Sequence, residues 1–278
     1  MPHAETQHGA LYYEVIDRVV PWEQRRDPIL FHHGIGASAG IWTEWIAALA
    51  DRHPIVTFDM RGYGRSIIPP PDFRWSLEQF IADVFAVADA AGFQRFHLVG
   101  ESIGGTIALA AALARPERIA TLTVSNGGHL GASIQRVDEW RRQLDEGGVK
   151  RWSDIFMRDR FQDDALSPER WAWFAAQQEA WAPNAILSAL AVLVGTDLAP
   201  QLPQIRCPVL LLHPDGSPFI PVAVAGEMHR LLRLPRGSSA AVGLGSVDVQ
   251  PGPAAATVGA GPRRGRRCVP SSRAWSEA

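Results

Sequence analysis

The chain has 278 residues, 46% hydrophobic and 20% charged, with a formal net charge of −2. That composition can bury a sizeable core, either as one large α/β domain or as a domain carrying an insertion, and it offers no basic field for nucleic acid or an anionic membrane. The two cysteines, Cys207 and Cys268, lie far apart and form no metal-ligand spacing, so a zinc site and a disulfide framework are both unsupported and a reducing compartment fits.

The opening Met1-Pro2-His3-Ala4-Glu5 has neither a basic start nor an apolar stretch, and the longest apolar run, residues 107–114, is too short to span a bilayer. A cytoplasmic protein with no membrane partner is expected. Further along, short apolar runs alternate with amphipathic stretches, the pattern of a doubly wound, mostly parallel sheet flanked by helices. Residues 28–31 read as the first buried strand, 41–50 as a helix and 55–58 as the second strand. Ser76 is a plausible N-cap for a helix over 77–91 that Gly92 closes, and residues 96–99 form the next strand. Strands over 119–124 and 208–212 follow, and residues 222–234 read as a helix.

Between the strand at 96–99 and the helical run from Thr106 stands Gly100-Glu101-Ser102-Ile103-Gly104. A serine at the apex of a tight strand-to-helix turn is held in strained backbone angles, and flanking glycines let strand and helix approach closely enough to expose its hydroxyl. Such a hydroxyl is placed as a nucleophile. Residues 127–205 differ in kind, reading as helix with both charge signs and holding Trp140, Trp152, Trp171, Trp173 and Trp181. A helical insertion there would sit over the strand ends as a cap, and its aromatics favour an apolar or ring-containing small-molecule ligand. The expected organisation is a core over 1–126, the cap over 127–205, a return to the core over 206–234, and a tail over 235–278.

From about residue 10 to residue 234 the chain resembles the α/β-hydrolase superfamily, through three motifs in that family's order: Phe31-His32-His33-Gly34-Ile35-Gly36, then Phe58-Asp59-Met60-Arg61-Gly62-Tyr63-Gly64-Arg65-Ser66, then the Ser102 elbow. Within the superfamily, the capped arrangement and Val124-Ser125-Asn126 look most like the 3-oxoadipate enol-lactonases and related small-substrate esterases. The resemblance implies hydrolysis of a small carboxylic ester or lactone through a Ser102 acyl-enzyme, without a cofactor or metal. Ester cleavage builds negative charge on the carbonyl oxygen, which backbone N–H groups can stabilise. The N–H of Ile103 should supply one donor, and the family pattern assigns the second to Ile35. In this motif His32 and His33 typically brace the loop, and Arg61 and Arg65 more often lock their own loop than meet a substrate carboxylate.

Two positions depart from the family pattern. Where it places an aspartate after the last clear strand, this chain has Ser217, with Asp215 two residues earlier; Asp215 is the candidate acid, or else forms an Asp-Gly turn with Gly216. The histidine that should follow the acid in chain order is missing, since no histidine occurs after His229 and that residue lies in the 222–234 helix. The catalytic histidine therefore stays unassigned, with His129 and His213 the first two to test. From residue 235 the text turns to alanine, glycine, proline, serine, arginine and valine, a disordered-type composition that offers no final strand, histidine loop or closing helix. With Lys150 the single lysine, this suggests a frameshifted or otherwise replaced C-terminus of a GC-rich coding sequence. Other readings are a cofactor-free relative doing carbon–carbon hydrolysis, dioxygenation or perhydrolysis, and a fold member that only binds a ligand. The oligomeric state is not legible.

Overall fold

The computed structural model describes residues 2–232 and the backbone of residues 242–244. An N-terminal hairpin of β1 (His3–Thr6) and β2 (Gly9–Ile16) leads into β3 (Ile29–His32), β4 (Ile55–Phe58), β5 (Phe96–Glu101), β6 (Ile119–Ser125), β7 (Val209–His213) and β8 (Val242–Leu244). The eight strands form one sheet in the order β1-β2-β4-β3-β5-β6-β7-β8. The pairs β1/β2 and β2/β4 are antiparallel, and every later pair is parallel. Parallel strands covered on both faces read as continuous apolar runs, which is why Ile29-Leu30-Phe31 and Ile55-Val56-Thr57-Phe58 announce themselves in sequence and are wholly buried.

Among the described residues seven α-helices accompany the sheet: α1 (Thr43–Leu49), α2 (Leu77–Ala90), α3 (Ile103–Ala114), α4 (Val137–Arg160), α5 (Pro168–Glu179), α6 (Pro183–Val194) and α7 (Val222–Leu231). Ser76 caps α2 as its position predicts, its side chain accepting the Gln79 N–H at 3.2 Å, and Gly92 closes that helix with a φ of 76°. Phe80 and Val84 of α2 and Ile107 of α3 share one buried cluster with Leu98 and Leu122 of the sheet. On the opposite face Ile29, Phe31 and Ile55 pack with Trp42 and Ala50 around α1.

Three features differ from the sequence reading. The hairpin β1/β2 precedes the strand expected to be first; β1 buries only Ala4, and in β2 the buried Leu11, Tyr12 and Tyr13 are flanked by partly exposed positions, so neither reads as a long apolar run. The insertion between β6 and β7 is three helices, the first broken at Gly148, whose φ of 66° and ψ of −167° leave helical space. Finally, residues 242–244 extend the sheet beside β7, correcting the expectation that nothing after residue 235 supplies a strand. The open edge of β7 offers backbone donors and acceptors to any short extended segment, whatever its composition. The other residues of the 235–278 segment, and with them the expected disorder, lie outside the described residues.

Arg61 belongs to the architecture. Its guanidinium grips the Asp83 carboxylate with two bonds, of 2.9 and 2.6 Å, and donates to the His8 carbonyl at 2.7 Å and to Thr6 Oγ1 at 3.0 Å. Both partners are almost wholly buried, so removing one strands the other's charge. Arg61→Leu is expected to cost about 3–5 kcal/mol in urea denaturation, part of it recovered by adding Asp83→Asn. An unchanged midpoint would show that the pair contributes nothing.

Candidate active site

β5 ends in the elbow, and α3 begins directly after Ser102. Ser102 holds φ 56° and ψ −123°, a conformation that costs a non-glycine residue roughly 1–3 kcal/mol and persists only where its surroundings impose it. Its N–H donates to the Ser125 carbonyl at 2.9 Å, and its own carbonyl accepts the N–H of Gly105 at 2.9 Å. A side chain on Gly100 would collide with the backbone of Gly104, and one on Gly104 would come within 2.5 Å of the His32 carbonyl oxygen. Strand and helix therefore touch, as the pentapeptide implies. Ile103 opens α3, so its N–H has no carbonyl within the helix to bond.

The turn after β3 lies against the elbow: a Cβ on Gly34 would stand 2.6 Å from the Ser102 Cβ, and Ile35 shares a cavity with Ser102. The turn is fixed from below by histidine. His33 Nδ1 donates to the Gly34 carbonyl at 2.9 Å while its Nε2 accepts the Met60 N–H at 2.8 Å, and His32 Nδ1 donates to the His33 carbonyl at 2.8 Å. Asp59 ties the neighbouring loops together, accepting the N–H groups of Ala39 and Arg65 at 2.9 Å each. From the insertion, Gln178 Nε2 donates to the Gly36 carbonyl at 2.9 Å, and Ser153 Oγ in turn donates to Gln178 Oε1 at 2.7 Å. Gln178→Leu should loosen this turn and cost about 1 kcal/mol, because it removes the shorter of the two bonds to the Gly36 carbonyl and leaves Arg160 Nη1 at 3.5 Å as its donor. Urea denaturation checks it, and a stability equal to the parent's would mean the bond does not hold the turn.

Burial keeps these histidines neutral. It pushes His32 down to about 3 and His97 down to about 4, and lowers His33 as well. Each is neutral when folded but takes up a proton when unfolded below its ordinary value of 6.5. Their contribution to stability is thus present above that value and lost as pH falls toward the folded values, at about 1.4 kcal/mol per pH unit for each histidine. Urea midpoints should fall steeply between pH 7 and pH 5; a flat profile would contradict burial of neutral imidazoles.

Above Ser102 the insertion closes two adjoining cavities. The smaller, about 40 Å³, holds Ser102 and Ile35 under Trp140, Phe156, Leu190 and Leu193. The larger, about 290 Å³, is lined by Arg158, Asp159, Arg160, Ser125 and the turn at residues 214–219. Glu101, Asn126, Arg160 and Phe219 border both. Arg160 Nη2 lies 3.3 Å from Glu101 Oε1. Burial raises the Glu101 carboxyl above its ordinary range, against the opposing charge of Arg160. Sequence reasoning assigned no role to Glu101, Asn126, Arg160, Phe156 or Gln178; Glu101 is visible inside the pentapeptide, whereas the other contacts arise between segments distant in sequence.

Asp215 lines the larger cavity but not the one that holds Ser102, and it is exposed on its turn. Ser217 shares that cavity, its Oγ accepting the Ile220 N–H at 3.2 Å. All nine histidines fall within the described residues, and none lines either cavity. His213 donates through Nε2 to the Ile220 carbonyl at 2.9 Å. His129, expected near the mouth, is fully buried with Nε2 3.7 Å from Glu227 of α7. The tryptophans of the insertion do not form a common wall either. Trp140 lines the small cavity, Trp152 stacks on Phe156 at 4.8 Å, Trp181 meets Tyr63 edge-on at 5.0 Å, Trp173 packs on Phe174, and Trp171 joins the Met157–Phe161–Phe174 cluster. Among the described residues no three His, Cys, Asp or Glu side chains converge as metal ligands, and no helix is long and apolar enough to cross a membrane.

The family model for the alpha/beta hydrolase fold matches residues 27–240. "Putative carbamate hydrolase RutD" of Azorhizobium caulinodans is 32% identical over 234 residues, covering 80% of this chain and 82% of that protein. Among solved structures, the enol-lactonase from Burkholderia xenovorans LB400 superposes with a TM-score of 0.74 at 21% identity, covering 89% of this chain and 91% of that one. The bromoperoxidase from Bacillus anthracis gives 0.76 at 18% identity, covering 88% and 91%. At those identities the two structures speak for the fold alone. With the family model spanning most of the chain and the elbow in place, this protein belongs to the α/β-hydrolase family.

Proposed function

We propose that the protein is a serine hydrolase of small carboxylic esters or lactones. The observation that carries this reading is the strained Ser102 at the start of α3, sharing a cavity with Ile35. Ser102 Oγ attacks the substrate carbonyl carbon, and the N–H groups of Ile35 and Ile103 receive the charge that develops on its oxygen. As the tetrahedral adduct collapses, the carbon–oxygen bond to the alcohol breaks. The alcohol leaves with the proton given up by Ser102, and water then releases the acid from the acyl-enzyme. Asp215 is the acid nearest this site on the turn after β7, and the proton carrier between serine and leaving group is unassigned. The insertion acts as the cap that selects substrates.

Carbamates are a second substrate class, supported by the name of the 32% identical relative; they undergo the same attack at a carbonyl carbon. A fluorophosphonate probe tests the shared chemistry: a covalent adduct mapped to Ser102 is expected, and labelling at another residue, or at none, would overturn the assignment. Comparing acetyl esters with O-alkyl carbamates then separates the two classes.

A further inference from the structure

The two cavities differ in size and in chemistry, and Ser102 stands in the smaller. Its cavity of about 40 Å³ has Ile134, Trp140, Phe156, Leu190 and Leu193 as its apolar walls, with Gln135 and the shared Glu101, Asn126 and Arg160 as its polar ones. Since one water molecule needs about 10–15 Å³ of such space, the cavity admits only a few heavy atoms. Its walls are also stiff. Phe156 stacks on Trp152 at 4.8 Å and on Phe219 at 5.4 Å, and Trp140 meets Phe156 edge-on at 5.1 Å and Phe219 at 5.4 Å. Interlocked rings of this kind pack like a protein interior and yield little to an extra methylene. Phe156 cannot swing toward Gly36, because Gly36 lies against the Phe156 ring with no room even for a Cβ.

The neighbouring chamber, about 290 Å³, is lined by arginine and acidic side chains of both signs and is bordered by the exposed Asp215 and Gly216. A leaving alcohol needs a proton and an exit, and this chamber provides polar groups and a route past an exposed turn. The space beside Ser102 shares Glu101, Asn126 and Arg160 with that chamber, and apart from Gln135 its remaining walls are mostly apolar with no exposed turn beside them, so the acyl group belongs there.

Building on the hydrolase reading, we propose that the site is selective for open-chain esters of short acids, with acyl groups of about two or three carbons, whose alcohol portion is polar and occupies the Arg158–Arg160–Asp215 chamber. Phe156 and Trp140 set the length limit. Long-chain acyl esters are excluded by the stacked rings, and open-chain esters are favoured over lactones because a lactone ring ties its acyl and alcohol sides together. Trp140, with Trp152 backing Phe156, thus narrows the acyl site instead of cradling a ring.

Alkylboronic acids test this without requiring turnover, since the serine oxygen adds to boron and the anionic adduct fills the site of the tetrahedral intermediate. Methyl-, propyl- and octylboronic acid are titrated against the full chain and against Ser102→Ala, with tetrahedral boron followed by boron NMR. Ser102-dependent binding of the methyl and propyl compounds is expected, with affinity at least about tenfold lower for octyl. Phe156→Ala, and Leu190→Ala on the facing wall should the first variant not fold, are expected to restore the octyl compound without weakening the methyl one. Ser102-dependent binding that is equal or stronger for octyl in the parent chain would overturn the length limit and leave the hydrolase reading standing. No Ser102-dependent binding of any member would overturn both.

Discussion

Ser102→Ala is expected to abolish fluorophosphonate capture and to bring aryl-ester hydrolysis down to that of the solvent, with the fold retained. Alanine occupies less space than serine and leaves the Gly100 and Gly104 contacts untouched, so the turn keeps the shape those glycines allow. The Ser102 N–H also keeps its bond to the Ser125 carbonyl, because only the backbone takes part. What disappears is the oxygen that forms the covalent intermediate. Residues that act as one catalytic unit are not additive, so turnover is best compared with an external base present, where a weak base cannot mask the loss of the nucleophile. Unlabelled Ser102→Ala with an unchanged circular dichroism spectrum is the expected pair of readings. Surviving Ser102-independent labelling would move the nucleophile elsewhere.

The second large effect concerns the base. None of the nine histidines lines the cavity of Ser102 or the chamber beside it. Four of them are visibly engaged elsewhere: His33 with Gly34 and Met60, His213 with Ile220, His53 with the Asp27 carbonyl, and His97 with Thr121. Without an imidazole in reach the serine hydroxyl keeps its proton, and assistance worth about 10² to 10⁴ in rate is forgone. The protein should therefore hydrolyse short aryl esters feebly, through its oxyanion donors and substrate binding. Free imidazole should raise the rate saturably in the parent chain and not in Ser102→Ala, since the 290 Å³ chamber beside Asp215 has room for that ring. Ordinary esterase rates without imidazole would contradict this. In that event His129→Ala and His213→Ala would show which residue has been recruited, and by what movement, since both are buried away from the site.

The same residues show why some roles were legible early. His32 and His33 sit in the turn after β3, and their rings bond backbone carbonyls and the Met60 N–H, the bracing role expected of them. Arg61 could have met a substrate carboxylate as readily as Asp83. Its burial with Asp83, Thr6 and His8 is a tertiary fact, since those partners come from two separate stretches of chain, both distant from Arg61.

By itself the sequence determined the elements whose cause is local. Buried parallel strands need unbroken apolar runs, an N-cap needs a residue such as Ser76, and an elbow needs glycines at positions 100 and 104 because no side chain fits where strand and helix cross. It determined Ser102 for the same reason, since apex, strand and helix adjoin in the chain. Tertiary structure alone decided the rest. The partly exposed hairpin β1/β2 became strand only by pairing, and β8 only by finding the free edge of β7. Glu101 acquired its raised carboxyl and its arginine partner through the closing of α4 over the elbow, a contact across 59 positions of chain. The stacking of Phe156, Trp140 and Phe219, which sets the size of the space beside Ser102, brings together α4 and the turn after β7. Local sequence carries backbone geometry, whereas cavity volume and the pairing of buried charges are sums over distant segments, and only the folded chain performs that sum.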